Sequence, residues 1–353
     1  MRNFKILTVL AVLILAAVFF LSGRKENPEP VKVPAERSGT AIIMTGAAAR
    51  IPQEAALLEE LYNRGLLENV VFISGVSSGS LNATVLNGIL SGRMTWDEYR
   101  KILFGLNNSD VFIQEGKKLP VNTDPLRNFI TGVVEGRLGY RTIGDLPVTT
   151  AISFTHIDEP SLKKTVYRMC STPINRESDT TLSLVDILMA STSFPIAFPP
   201  VRIRNVKTIP DVGYIDGGVG DDHVPFEALL EFEKHRGKGV EKVYIISRKS
   251  DSIPEISEEL QSLGINDKGR FDKLGVSLDN ILQKGMYKRL KAYAEEAPDH
   301  VAITSVWIPD FKADFPMFSF SNLEVQYKMT TGWAKTHQPV PLAEYLLPYL
   351  LKK

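Results

Sequence analysis

The chain has 353 residues, 44% of them hydrophobic, and its 41 basic and 41 acidic side chains cancel to zero formal net charge. Such a composition makes a globular protein with apolar material for one large domain or two ordinary ones, and its neutrality gives no reason to expect nucleic acid or a strongly charged partner. The single cysteine, Cys170 in "VYRMCS", excludes an intrachain disulfide and reads as a buried strand position.

Residues 1–23 open with Arg2 and Lys5 and run apolar from Ile6 to Leu21 apart from Thr8. A segment of this kind is expected to be a signal peptide or an N-terminal membrane anchor, so the protein is expected to be exported or membrane-anchored, in the cell envelope or the secretory pathway. Residues 24–38, with three prolines among charges in "ENPEPVKVPAE", read as an extended linker. Residues 39–353 are expected to form a single α/β domain. Its motif-bearing core covers about 39–225, and about 250–353 adds helices and an edge strand.

Within that domain "GTAIIMTG" reads as a strand, "PQEAALLEELYNRG" as a helix stopped by Gly65, and "NVVFISG" as a second strand. Strand, helix, strand, helix implies a mostly parallel sheet covered on both faces. Further strands are expected at "LPVTTAISFTHI", "KKTVYRMCS", "KVYIISRK" and "VAITSVWIP". Helices are expected at "TLSLVDILMAS", "HVPFEALLEFEKH", "GVSLDNILQKGMYKRLKAYAEE" and "EVQYKMTTGWAKTH".

The second strand runs into "GVSSG", Gly75 to Gly79, which matches G-x-S-x-G. Small residues two before and two after Ser77 let the chain turn steeply from strand into helix and lift the hydroxyl clear of the sheet, at a helix N-terminus that favours developing negative charge. The alternative is an ordinary glycine-rich turn with Ser77 as N-cap. After the first strand, Gly46, Ala47, Ala48, Ala49 and Arg50 form a run of tiny residues ahead of a helix, where backbone N–H groups can crowd a substrate carbonyl; packing alone would also favour small residues there. In "GYIDGGVGDDHVP" Asp216 ends a short apolar stretch before Gly217 and Gly218, a position from which a carboxylate can reach a cleft. Asp211, Asp221 and Asp222 read as solvated loop charges.

Together these residues resemble the patatin-like phospholipase family. The family's serine motif continues as G-x-S-x-G-x-x-N-A, as "GVSSGSLNA" does with Asn82 and Ala83; its D-G-G or D-G-A aspartate matches Asp216-Gly217-Gly218. Its oxyanion loop, G-G-G-x-R/K-G, is matched in part by "GAAARI", and an A-S-x-x-x-P-x-x-F-P-P block by "ASTSFPIAFPP". The resemblance covers about residues 39–225. It implies a three-layer α/β fold with a mostly parallel central sheet and helices on both faces. It also implies a lipid acyl hydrolase of phospholipase A, lysophospholipase or esterase type, acting through a Ser77-Asp216 dyad and an oxyanion hole in the Gly46–Arg50 loop. Gly75, Gly79, Gly217 and Gly218 support the motifs, and Arg50 would hold the loop or an anionic head group. Ala47, Ala48 and Ile51 stand where the family has glycine, and alanine disfavours positive φ, so the loop geometry is expected to differ.

Two other readings stay open: a patatin-fold lipid-binding protein with weakened turnover, and an α/β-hydrolase with a Ser-Asp-His triad drawing on His223, His300 or His337. A single helix between the oxyanion loop and Ser77 argues against the triad fold, and none of the five histidines lies in a motif; each reads as a surface or loop residue. An aspartate base predicts hydrolysis that persists to about pH 5 unless burial raises its pKa. No His/Cys/Asp cluster has ligand spacing, so no metal or organic cofactor is expected. The expected partners are a lipid or fatty-acyl ester and a membrane, met through the N-terminal segment or a surface. The basic helix carrying Lys284, Lys288, Arg289 and Lys291 reads as packed on the sheet through Ile281, Leu282, Met286, Leu290 and Tyr293, with lipid contact as the alternative. Phe315 to Phe320, "FPMFSF", reads as a buried edge segment, with an apolar lip for acyl chains as the alternative.

Overall fold

A computed structural model describes residues 36–249, 261, 271, 273–275, 283–313 and 315–350. The expected signal peptide or anchor, and the linker as far as residue 35, lie outside the described residues. Among the described residues the chain pairs from Glu36 on: the Gly239 N–H donates to the Glu36 carbonyl at 2.9 Å, and the Ser38 N–H to the Gly239 carbonyl at 2.9 Å.

The strands are β1 (Thr40–Met44), β2 (Val70–Val76), β3 (Thr149–Asp158), β4 (Lys163–Cys170), β5 (Ile215–Asp216), β6 (Lys242–Ile246), β7 (Thr304–Trp307) and β8 (Val340–Pro341). They form one sheet in the order β4-β3-β2-β1-β6-β7-β8, with β5 paired to β3. Pairing is parallel from β3 through β2, β1 and β6 to β7. It is antiparallel where β4 and β5 meet β3 and where β8 meets β7. All four strands expected beyond the first two form, as β3, β4, β6 and β7.

Helices α1 (Ile51–Asn63) and α2 (Ser78–Leu90) follow β1 and β2, and α3 (Trp96–Gly105), α4 (Asn108–Val111) and α5 (Asp124–Thr131) fill the crossover to β3. Next come α6 (Leu184–Ser191), α7 (Glu227–Arg236), α8 (Gln283–Glu296), α9 (Leu323–Thr336) and α10 (Leu342–Leu350). Among the described residues no helix is long and apolar enough to cross a membrane.

Period-2 alternation divides the strands between two cores, one on each face of the sheet. Ile42, Met44, Ile73 and Ile246 belong to one, with α1 to α3 and α5. Ala41, Ile43, Phe72 and Ile245 belong to the other, with α7, α8 and α10. Met286, Leu290 and Tyr293 are buried in the second core, so α8 packs as the sequence implies; Ile281 and Leu282 lie outside the described residues. Cys170 ends β4 fully buried, and burial pushes its thiol pKa well up, which makes it inert core.

Candidate active site

Register brings Ser77 and Asp216 together. β2 runs beside β3 until Val76 pairs with Ser153, then leaves; at the next position of β3, Phe154, β5 takes its place with Asp216. The two residues are therefore successive neighbours along one edge of β3, although most of the motif-bearing core lies between them in sequence. The Gly46–Arg50 loop leaves β1, the strand adjacent to β2, at the same C-terminal edge of the sheet. In open α/β sheets ligand sites lie at that edge.

Ser77 itself is bent into φ 55°, ψ −133°, and α2 begins at the next residue. This is the strained elbow that the glycines around it permit. A Cβ at Gly75 would lie 2.6 Å from the Gly79 carbonyl oxygen, and one at Gly79 would lie 2.2 Å from the Thr45 carbonyl oxygen. The second distance shows that β1 and the first turn of α2 touch backbone to backbone, so only glycine fits. The "ASTSFP" block clamps both site residues from outside. The Ser77 N–H donates to Ser191 Oγ at 2.9 Å, and the Ser191 hydroxyl donates to the Ser153 carbonyl at 2.7 Å. The Asp216 N–H donates to the Ser193 carbonyl at 2.9 Å.

The Asp216 carboxylate accepts the Gly218 N–H at 2.8 Å and lines the same cavity as the Ser77 hydroxyl. Burial raises the Asp216 pKa to about 6, and the neighbouring Ser77 hydroxyl and Gly218 N–H only partly oppose it. His337 is exposed and stacks on Trp333, while His300 is buried and paired with Glu233 at 2.9 Å. His223 lines the same cavity as Ser77 and is buried, with its pKa pressed to about 4 first by burial and then by the Arg248 charge. His223 lies in a loop, as expected, but is buried there; His300 is buried in a short turn, which departs from the expectation of a surface or loop residue.

The Gly46–Arg50 loop is anchored on three sides. The Ala47 N–H donates to Ser78 Oγ at 2.7 Å and the Ala49 N–H to the Met317 carbonyl at 2.7 Å. Arg50 donates through Nε to the Phe315 carbonyl at 2.8 Å and again through Nη2. Arg50 thus holds the loop against the Phe315 segment. Ala48 adopts φ 46°, the left-handed conformation that suits glycine, whereas Ala47 sits at φ −129°. The alanine loop therefore keeps one left-handed residue in spite of its sequence.

Ser77 and Asp216 line a cavity of about 130 Å³ whose remaining walls are mostly apolar. Leu81 and Val85 of α2, Leu103 of α3, Ile130 of α5, Phe194 and Phe318 make up much of them. Met317 and Phe318 are buried and, with the partly buried Phe320, make the "FPMFSF" segment part of this wall. Thus the walls come largely from α3 and α5, which no motif marks, and from the C-terminal third. Arg248, just past β6, lines the cavity as well. The arrangement presents a hydroxyl nucleophile, an adjacent carboxylate base and apolar room for an acyl chain.

A family model for patatin-like phospholipases matches residues 41–230. No curated protein matches the chain. Among solved structures it is similar to VipD from Legionella pneumophila, at 12% identity over 90% of this chain and 72% of that chain, TM-score 0.38. It is also similar to full-length ExoU from the type III secretion system of Pseudomonas aeruginosa in complex with SpcU, at 14% identity over 92% of this chain and 81% of that chain, TM-score 0.33.

Proposed function

The chain belongs to the patatin-like phospholipase family of lipid ester hydrolases, and we propose that it cleaves carboxylic esters of lipids with Ser77 as nucleophile and Asp216 as its general base. The observation that carries this reading is that Ser77, at its strained elbow, and the buried Asp216 stand together along β3 and line one apolar cavity. Asp216 takes the hydroxyl proton as Ser77 attacks the acyl carbonyl. With the Ala47, Ala49 and Arg50 N–H groups already engaged within the protein, the Gly46 and Ala48 N–H groups and the N-terminus of α2 stabilise the oxyanion, and Asp216 returns the proton to the leaving alcohol. Water then releases the fatty acid from the acyl-enzyme by the same steps.

The experiment is fatty-acid release from a lipid panel, read by mass spectrometry, together with p-nitrophenyl ester hydrolysis. Ser77→Ala should abolish both. Asp216→Asn should lower kcat by about 10²–10⁴ with the fold intact, the usual magnitude of general-base catalysis. Because the Asp216 pKa is raised to about 6, activity should fall below that pH rather than persist to about pH 5. Equal rates for wild type and Ser77→Ala would leave only the lipid-binding reading.

A further inference from the structure

Behind the oxyanion loop lies a buried carboxyl group that the dyad does not use. Glu54, in the first turn of α1, is fully buried. Thr45, the residue immediately before Gly46, donates its hydroxyl to Glu54 Oε1 at 3.0 Å, and the same hydroxyl lies 2.6 Å from Ser247 Oγ. Asn82 of α2 donates to Glu54 Oε2 at 3.2 Å, and the Tyr99 hydroxyl of α3 donates to Asn82 Oδ1. One carboxyl group therefore joins the ends of β1 and β6, the elbow helix α2, and α3 on the cavity wall. The charged and titratable groups that face it are Arg248 past β6 and Tyr99 on α3; β1 and α2 face it with Thr45 and Asn82, which do not titrate.

We propose that Glu54 is a positioning residue for the oxyanion loop, active as the neutral acid, and that its ionisation opposes the negative charge developing on the substrate carbonyl. The proposal rests on the Ser77-Asp216 reading. The hydrogen bonds permit both protonation states without moving heavy atoms. Neutral Glu54 donates to Thr45, which turns its own proton to Ser247; on ionisation both hydroxyl protons reverse, and Thr45 donates to the carboxylate. The charge does change, and it appears one residue behind the loop in a water-excluded setting where like charges interact strongly. Burial is the main cause that lifts the Glu54 pKa to about 8, against smaller opposing effects from Thr45, Arg248 and Asn82. The neutral form is then the working form at neutral pH, and hydrolysis should show an alkaline limb in addition to the acid limb of Asp216.

The test is the pH profile of kcat on a p-nitrophenyl ester, corrected for spontaneous hydrolysis, for wild type and Glu54→Gln. The glutamine amide donates to Thr45 and its oxygen accepts from Asn82, so it copies the neutral acid. Wild type should lose activity about tenfold from pH 7 to pH 9, and Glu54→Gln less than about twofold, with the acid limb unchanged. A group that merely filled space would leave the limb where it was. Should Glu54→Gln fail to fold, Arg248→Gln decides: removing the cation that faces Glu54 should move the limb to higher pH, and an unmoved limb overturns the proposal. Ser77-dependent hydrolysis whose alkaline limb survives in folded Glu54→Gln overturns this inference alone. Hydrolysis indifferent to Ser77→Ala overturns the dyad reading and this inference with it.

Discussion

Ala48 holds a backbone conformation that its side chain resists. The left-handed region costs an L-residue roughly 1–2 kcal/mol relative to right-handed helix, and glycine almost nothing. At Ala47, with φ −129°, no such cost exists and a buried methyl group would be lost. Ala48→Gly should therefore stabilise the protein, by up to about 1 kcal/mol after the added freedom of the unfolded chain, while Ala47→Gly should destabilise it. Chemical denaturation of the two variants checks this, and the same sign for both would contradict the assigned backbone. Ser77 and Asp216 are legible in the sequence because a strained elbow and a crowded strand end demand glycine beside them. Glu54 is not: a glutamate near a helix start is ordinarily a solvated charge facing the macrodipole. Only its burial makes it exceptional.

Asp222 shows what the elements impose on a loop. It reads as a solvated charge in sequence, yet it is completely buried, accepting from Arg168 of β4 through Nε at 3.1 Å and Nη2 at 2.9 Å, with Arg289 of α8 at 3.3 Å. Glu227 of α7 completes the cluster beside Arg168 and Arg289. Burial by itself would raise the Asp222 pKa, but the guanidinium charges outweigh it and hold the carboxyl below its ordinary value. Arg289 is therefore occupied with this cluster and does not serve as a lipid contact, because α8 docks its arginine onto the loop that carries Asp216. Asp222→Asn leaves two largely buried cations undercompensated and should cost about 3–5 kcal/mol, whereas Asp221→Asn, partly exposed, should cost under about 0.5 kcal/mol. Urea denaturation checks both; equal midpoints would refute the buried cluster. At this scale α3 starts at the reciprocal capping box of Thr95 and Glu98.

The whole molecule carries a pH signature. The folded-state pKa of Glu54, about 8, exceeds its ordinary value of 4.5, so above pH 4.5 the folded state binds more protons than the unfolded chain, and stability falls as pH rises toward 8. Asp216 acts in the same direction between 3.8 and about 6. His223, depressed from 6.5 to about 4, acts oppositely: stability falls as pH drops through that window. Between about pH 6.5 and 8 the Glu54 contribution stands clear of the other two. Tm should decline across that interval in wild type and stay nearly level in Glu54→Gln, as measured by differential scanning calorimetry. An identical decline in both would mean that Glu54 is not protonated in the fold.

What the sequence determined by itself is the layered fold, the elbow serine, the aspartate and the loop facing them. Their signals are local: apolar runs of strand length, helical periodicity, and glycines where a Cβ would strike backbone. What only tertiary structure decided is everything that depends on long-range contact. Bringing Ser77 beside Asp216 requires β5 to replace β2 along β3. The apolar cavity beside Ser77 needs α3, α5 and the Phe318 segment to converge on α2. The states of Glu54, His223 and Asp222 follow from burial and from arginines brought in from other parts of the chain. Burial and long-range charge are properties of the packed molecule, and no window of neighbouring residues contains them.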